Sequence, residues 1–420
     1  MTRANNKEIS KISKISASGG KIQAFAKEHQ GEDTARLLLS AARYPDIDMP
    51  AAVQQIEGLR TARDKWPSLL QCEEYLYPPR LNREQASSEA TASYKASLLS
   101  TLNSQLSTHH LIDLTGGMGI DTIAFARVGA TVDYVERDPQ LCELMQHNIA
   151  ALGLDNISVH CADSIEWLEE TLNTQHLTLN TIYLDPARRD SHGRKVAAFE
   201  DCTPDILAHL PLLRSHCEKL IIKASPMIDI DLACRQLANV AEVHIVALKG
   251  ECKEVLFVCG GDAAEPMIKC VNLNDYQSTP IVFSFTRSAE ASADTAYCQA
   301  VGRYLYEPDA ALMKGGPYKL IGQEWGLAKL ARNTHLYTSD DLKPDFPGRT
   351  FEVLQEVKLD RKTMEQHVLQ GRAHVVTRNY PVEAASLQRQ LGLKEGGELF
   401  VVATTIGTRR CGFLAKICND

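Results

Sequence analysis

The chain predicts an α/β protein built on a doubly wound, Rossmann-like sheet of seven strands, with a helical domain before it and an α+β module after it. Three observations carry this expectation. From His109 to Pro139 the segment HHLIDLTGGMGIDTIAFARVGATVDYVERDP reads as a strand, a glycine turn, a helix and a second strand ending in an acid. Beyond it, apolar runs of strand length alternate with helical spacing as far as a hairpin, the rhythm of a mostly parallel sheet. After about residue 300 the alternation gives way to a different pattern. A chain of 420 residues is also long for a single core. The expected domains are residues 1–85 (helical), 86–300 (α/β) and 301–420 (α+β).

Residues 1–20 are polar and basic with Ser and Gly, a composition that predicts disorder. From Ile22 to about Leu70 apolar residues recur at helical spacing, among them Phe25, Leu37, Leu38, Ala41, Ala52, Val53, Ile56 and Leu59. The turn-rich YLYPPR closes this run, and a helix from Gln85 to Leu99 leads into the first strand at Leu111 to Leu114. Ile120, Ile123, Ala124 and Ala126 form an apolar helix face, and Val132, Tyr134 and Val135 the second strand. Pro139 opens a helix to about Leu152, a position that suits proline. Strands follow at Ile157–His160, Thr181–Leu184 and Leu220–Ile222, with helices around Pro204–Leu213 and Ile230–Leu237. EVHIVALKGECKEVLFVCG then turns at Lys249-Gly250 as a hairpin. Five strands on a βα rhythm plus two in the hairpin make seven. Pro280–Phe285 is a candidate further strand, and Ala289–Ala296 a linker or helix start. In the tail, a helix over Glu307–Met313 precedes Gly315-Gly316-Pro317. Strands are read at Phe351–Lys358, Ala373–Arg378 and Leu399–Thr405, with a helix near Val382–Leu391.

The glycine turn is where the chemistry starts. Gly116, Gly117 and Gly119 allow a tight turn and close approach of a ligand to the backbone. Glu136 follows Asp113 by 23 residues, a spacing that places an acid against a ribose diol. A dinucleotide site wants G-x-G-x-x-G facing a pyrophosphate; here the pattern is D-x-T-G-G-M-G. Asp113 would repel phosphate and attract an ammonium group. That favours S-adenosylmethionine, which carries an amino acid and a ribose but no phosphate. The cofactor set is then Asp113, Thr115, Gly116, Gly117, Gly119, Glu136 and Asp163, with Asp163 serving the adenine amine, a helix cap, or both. The bland alternative is a βα turn that binds nothing.

The second signal is IYLDPARRD, Ile182 to Asp190. An acid-proline pair after the fourth strand falls in the crevice at the carboxyl ends of the strands. Asp185 can hold an amine or ring N–H in line with a methyl donor, and Pro186 stiffens the turn. Arg188 and Arg189 are candidates to grip a phosphate or carboxylate of the acceptor, and Lys223 ends the next strand facing the same crevice. The competing readings are an Arg-Asp surface network and a solvated strand-end lysine.

Other classes find no support. The chain has no G-x-S-x-G and no H-E-x-x-H. His109 and His110 are adjacent on a strand and point to opposite faces, which disfavours a shared metal site, so no metal is expected. His192 reads as a loop histidine near Asp185. Cys252, beside the hairpin turn, is misplaced for thiolate addition to a pyrimidine. The 12 cysteines form no C-x-x-C pair, and reduced thiols in the cytoplasm are expected. No apolar run is long enough for a membrane span or a secretory h-region. The formal charge of −8 divides unevenly, at +2 for residues 1–110, −13 for 111–300 and +3 for 301–420. A polyanion would therefore meet the flanking domains more readily than the middle. Lys314, Lys319, Lys329, Arg332, Arg372 and Arg378 are candidates for one basic face.

Taken together, DLTGGMG, YVERDP, CADS (Cys161 to Ser164) and YLDPARRD resemble the class I S-adenosylmethionine-dependent methyltransferases. SSEATASYKA (Ser87 to Ala96), IIKASPMID, LYEPDAALMKGG and NTHLYTSD further resemble a bacterial group of these enzymes with a C-terminal THUMP-like domain. The resemblance covers nearly the whole chain. It implies Asp113, Gly117 and Gly119 in the cofactor loop, Glu136 at the ribose, Asp163 at the adenine, and Asp185 with Pro186 as the acceptor motif. It also implies a tail module that presents structured RNA, tRNA or rRNA, for methylation on a base nitrogen. Two departures stand out: D-P-A-R lacks the aromatic residue of N/D-P-P-Y/F, and the module follows the catalytic domain, whereas a THUMP domain more often precedes it. The alternatives are a protein methyltransferase and a non-catalytic RNA-binding or assembly protein that keeps the cofactor site.

Overall fold

The computed structural model describes residues 20–102, 109–174, 179–188, 199–273 and 279–418. The disorder expected for the N-terminal segment therefore concerns residues outside the described ones, residue 20 excepted. The chain divides into two compact units. One comprises residues 1–241, 255–263 and 275–278, the other 242–254, 264–274 and 279–420.

In the first unit, helices α1 (residues 20–28), α2 (Thr34–Leu39), α3 (Met49–Lys65), α4 (Arg80–Gln85) and α5 (Glu89–Leu102) precede the sheet. Strands and helices then alternate: β1 (His109–Asp113), α6 (Ile120–Arg127), β2 (Ala130–Glu136), α7 (Pro139–Leu152), β3 (Ile157–Cys161), α8 (Ser164–Thr174) and β4 (Leu179–Leu184). The two-residue strands β5 (Ala187–Arg188) and β6 (Cys202–Thr203) pair with each other, and α9 (Ile206–Ser215), β7 (Cys217–Ala224) and α10 (Ile230–Leu237) complete the rhythm. Local chemistry sets these boundaries. Asp138 caps α7 by accepting from Gln140 N at 2.9 Å, Pro139 needs no amide partner there, and Gly153 ends the helix at φ +66°.

The sheet continues through β8 (Val240–Leu248), β9 (Glu251–Cys259), β10 (Met267–Leu273) and β11 (Ile281–Phe285). Its strand order is β11-β10-β8-β9-β7-β4-β1-β2-β3. The sheet is therefore mixed and has nine strands, not the expected seven. All seven expected strands form, and β10 and β11 extend the edge beyond β8. MIKCVNL, read as no element, becomes β10 because it pairs in parallel with β8 along its whole length.

Residues before the sheet are part of its core. Trp66, Leu69, Tyr75 and Tyr77 share one buried cluster with Leu111, Val132, Tyr134, Tyr183 and Ile221. A second cluster, Ile22, Phe25, Leu37, Met49, Ala52 and Ile56 among others, joins α1 to α3.

In the second unit, α11 (Arg287–Ser292) is followed by β12 (Tyr304–Pro308), α12 (Ala310–Gly315), α13 (Tyr318–Trp325), β13 (Ala328–Ala331) and β14 (Thr334–Ser339). Then come β15 (Gly348–Glu356), α14 (Arg361–His367), β16 (His374–Thr377), α15 (Ala384–Leu391), β17 (Leu399–Ile406) and β18 (Arg409–Ile417). Their sheet has seven strands in the order β13-β14-β12-β15-β18-β17-β16. The expected helix at Glu307–Met313 starts later. Glu307 lies in β12 opposite Arg349, and Asp309 caps α12 by accepting from Leu312 N at 2.8 Å. No helix among the described residues is long and apolar enough to cross a membrane.

Candidate active site

β1 ends in Asp113, and the turn that follows is organised around this carboxylate. Asp113 is 1% exposed. One oxygen accepts from Thr115 N at 3.1 Å and the other from the Thr122 hydroxyl at 2.6 Å. Burial pushes its carboxyl up to about 7, against the lowering effect of both hydrogen bonds. Asp113 thus builds the turn from beneath as well as setting its charge.

The glycines are used in three different ways. A Cβ on Gly116 would stand 2.2 Å from the ring of Tyr134, which fills that space from β2 and donates its hydroxyl to Gly117 O at 2.7 Å. Gly117 adopts φ +54° with its Cβ direction open, the nearest atom being 3.7 Å away. Gly119, at φ +78°, starts α6 where a side chain would meet Met145 Sδ at 2.5 Å. Glu136, at the end of β2, closes the turn: one oxygen accepts from Gly117 N and the other from Asp138 N, each at 2.9 Å. Glu136 is half-buried, so the loop and the acid meet as one surface. Asp163 is exposed and caps α8, with Oδ1 accepting from Ile165 N at 3.0 Å and Glu166 N at 3.3 Å.

Asp185 and Pro186 leave β4 half-buried beside this loop. The Asp185 backbone N–H donates to Thr115 Oγ1 at 2.6 Å. Its carboxylate forms an ion pair with Lys223, whose side chain is 12% exposed at the end of β7. Lys223 is therefore largely buried and paired, not a solvated edge residue. Arg188 has only its backbone described, in β5; Arg189 and His192 lie outside the described residues.

Behind Lys223 is a buried polar cluster to which sequence reasoning assigned no role. Lys223 Nζ donates to Ser87 Oγ at 3.3 Å, and Lys95 Nζ donates to the same hydroxyl at 3.0 Å. Ser87 donates to Asp121 Oδ2 at 2.9 Å, which also accepts from Tyr183 OH at 2.8 Å. Lys95 is fully buried and lies 3.2 Å from Asp121 Oδ1. Burial raises the Asp121 carboxyl, but Lys95 and Lys223 outweigh it and hold the group below its ordinary value. The signals in the sequence were the segment SSEATASYKA, which contains Ser87 and Lys95, and Lys95 itself, a charge between Ala92 and Leu98 on the apolar face of α5.

His109 and His110 do part to separate partners, Thr181 Oγ1 at 3.0 Å and Asp133 Oδ2 at 2.7 Å. The described residues contain no group of three or more His, Cys, Asp or Glu arranged to hold a metal. All 12 cysteines are free. In the second unit a polar cleft of about 460 Å³ is lined by Asn379, Tyr380, Pro381, Thr405, Thr408 and Arg410, none of them a residue of the site above. Of the basic residues expected on one face there, Lys329 is buried and others already have partners. Lys329 is 4% exposed with its ammonium on Arg332 O, Lys319 binds Ala291 O, and Arg378 pairs with Glu307. Arg332 and Arg372 are exposed.

The chain is similar to several known proteins. Residues 89–199 match the family model described as Conserved hypothetical protein 95, residues 304–347 a ferredoxin-like domain, and residues 348–417 a THUMP domain-like model. The crystal structure of a candidate methyltransferase from Porphyromonas gingivalis W83 is similar at 31% identity and TM-score 0.81, over 95% of this chain and 98% of that one. An uncharacterized S-adenosylmethionine-dependent methyltransferase of Mycobacterium tuberculosis is 25% identical over 70% of this chain and 77% of its own length. The ribosomal RNA small subunit methyltransferase J of Acinetobacter baumannii strain SDF is 28% identical over 31% of this chain and 55% of its own.

Proposed function

The chain belongs to the S-adenosylmethionine-dependent methyltransferases that carry a C-terminal THUMP-like domain, and from that premise we propose that it methylates a base nitrogen of structured RNA, rRNA or tRNA. The observation that carries this reading is the hydrogen bond joining Asp185 to Thr115, which sets an acceptor acid directly against the cofactor turn.

The turn suits the cofactor by charge and by shape. Gly117 presents open space at φ +54°, Glu136 stands at its rim, and Asp113 lies beneath it, a set that favours a cation and a ribose over a phosphate. Asp113, Thr115, Gly117, Gly119, Glu136 and Asp163 would hold S-adenosylmethionine, which would supply an electrophilic methyl carbon on a sulfonium and depart as the neutral thioether. What the protein adds is orientation and a partly dehydrated polar site. Asp185 accepts the hydrogen bond of the acceptor N–H and aims the nitrogen lone pair at that carbon; Pro186 keeps its carbonyl direction fixed. Asp163 turns its second oxygen to the adenine amine while Oδ1 caps α8. Arg188 and Arg189 contact the acceptor's phosphates, and Lys223 acts on the acceptor through Asp185.

RNA is supported by the THUMP-like match and by the relative named as an rRNA methyltransferase. A base atom must leave its stack to reach the crevice, which a separate RNA-holding domain assists. In this reading residues 1–85 support the catalytic domain 86–300, and 301–420 hold RNA. The test is tritium transfer from labelled S-adenosylmethionine to total RNA, DNA and protein from cells lacking the enzyme. Labelled RNA with a methylated base is expected; labelled protein alone would overturn the substrate assignment. Asp185→Ala should lower kcat by about 10²-fold or more with cofactor affinity little changed, because its contact is strengthened in the transition state. Arg332→Ala with Arg372→Ala should weaken RNA binding and flatten its salt dependence.

A further inference from the structure

We infer that Ser87, Lys95 and Asp121 form a positioning set that fixes Lys223 and, through it, selects which oxygen of Asp185 meets the acceptor. The inference rests on Asp185 orienting the acceptor, as proposed above, and not on the acceptor being RNA.

Ser87 Oγ is the shared node of two ammonium groups. It accepts from Lys95 at 3.0 Å and from Lys223 at 3.3 Å, while donating to Asp121 at 2.9 Å. A hydroxyl has one proton and two lone pairs, so these three contacts use its full capacity. Its direction is thereby determined: the proton must point to Asp121 and the lone pairs to the lysines. Lys95 and Asp121 hold it from behind in a site nearly closed to water, at 0% and 9% exposure, where such contacts are strong and a missing one is costly. Ser87 itself is anchored through its carbonyl, which accepts from Trp66 Nε1 at 2.7 Å. Trp66, just after α3, is fully buried. The segment before the sheet therefore reaches the site through Ser87 and, from α5, through Lys95.

At the other end, Lys223 lies between Ser87 and Asp185 Oδ2. That commits Oδ2. The backbone of Asp185 is held separately by Thr115, so the carboxylate can choose only by rotation about its own side chain. With Oδ2 on Lys223, Oδ1 is the oxygen presented to the acceptor N–H. If the Ser87 node is lost, the ammonium gains freedom, and the carboxylate samples orientations in which neither oxygen is aimed. Tyr183, two residues before Asp185 on β4, ties the same strand to Asp121 and keeps the node in register with the acid. The two acids and two lysines of the set balance in charge, so the arrangement holds position without adding net charge to the crevice.

The experiment is a double-mutant cycle on the full chain, with labelled S-adenosylmethionine and whichever acceptor pool the wild type methylates. Ser87→Ala should lower kcat about tenfold, the scale of one buried hydrogen bond to a charge, while KM for the donor and affinity for S-adenosylhomocysteine stay within about twofold. Lys223→Met should lower kcat further, and Ser87→Ala added to it should have no additional effect, because Ser87 acts through Lys223. Lys95→Met should follow Ser87→Ala; should it fail to fold, the Ser87 cycle decides by itself. Unchanged kcat in Ser87→Ala, or losses that multiply in the double variant, would overturn the assignment. Methylation of protein by the wild type would remove the RNA reading and leave this cycle to be scored on protein.

Discussion

Thr115 Oγ1 accepts a 2.6 Å hydrogen bond from the backbone N–H of Asp185, so a single hydroxyl couples the turn after β1 to the turn after β4. These are the two loops at the carboxyl ends of adjacent parallel strands, with Asp113 paired in register with Tyr183. In the proposed function this bond holds the acceptor acid against the cofactor turn. Thr115→Val keeps the shape and removes the oxygen. We expect a stability loss of about 1–3 kcal/mol from the unpaired amide and a drop in kcat larger than any change in cofactor affinity. Denaturant titration and steady-state kinetics check both; Thr115→Ser should restore most of the loss.

Glu136 holds the turn from the opposite side, with one oxygen on Gly117 N and the other on Asp138 N. Glu136→Gln replaces one acceptor by a donor facing an N–H. A hydrogen bond between a carboxylate and a ribose hydroxyl is worth about 1.5–3 kcal/mol, so with Glu136 at the ribose, affinity for S-adenosylhomocysteine should fall by roughly 10- to 150-fold. Titration calorimetry measures this directly, and an unchanged dissociation constant would remove Glu136 from the cofactor site.

Cofactor binding should depend on pH through Asp113. Its carboxyl is raised to about 7 by burial, so it is ionised above that pH and protonated below. A ligand bearing an ammonium favours the ionised form. Affinity for S-adenosylhomocysteine should therefore weaken as pH falls through about 7, and binding near neutrality should release protons. Folding stability has the opposite sign. With a folded value above the ordinary 3.8, Asp113 contributes stability at low pH that is lost as pH rises through about 7. Calorimetry in buffers of different ionisation enthalpy reads the proton release, and Asp113→Asn should abolish it.

Adjacent glycines in the turn should respond differently to alanine. At Gly116 the new methyl would fall 2.2 Å from the Tyr134 ring, which is fully buried and pinned through its hydroxyl. Overpacking of this kind costs about 1–3 kcal/mol, and more where nothing can move. At Gly117 there is room, and only the backbone at φ +54° resists, at about 1–2 kcal/mol. Denaturant midpoints should rank wild type above Gly117→Ala above Gly116→Ala. Cofactor affinity should fall in Gly117→Ala, since its added methyl enters the open side of the loop.

The strand–turn–helix unit from His109 to Pro139 was legible in the sequence because its determinants are local. Alternation of apolar residues, glycines with positive φ and an acid at a set spacing act over a few residues; in the structure Asp113 and Glu136 both bind the turn, and Asp185 is tied to it through Thr115. The extra strand Met267–Leu273 was not legible, because a short mixed run becomes a strand only when β8 offers it a hydrogen-bonding edge. Glu307 was assigned to a helix from its neighbours and went to a strand, where Arg349 and Arg378 neutralise it. Two basic residues of the tail show the same dependence: Lys329 is buried against Arg332 O and Arg378 pairs with Glu307, partners chosen by folding. Ser87 and Lys223 stand 136 residues apart, and no periodicity relates them. Local propensity decides which elements form and where their ends fall. Which buried charge meets which hydroxyl is decided only when the packed core excludes water and leaves each polar group to find its partner inside.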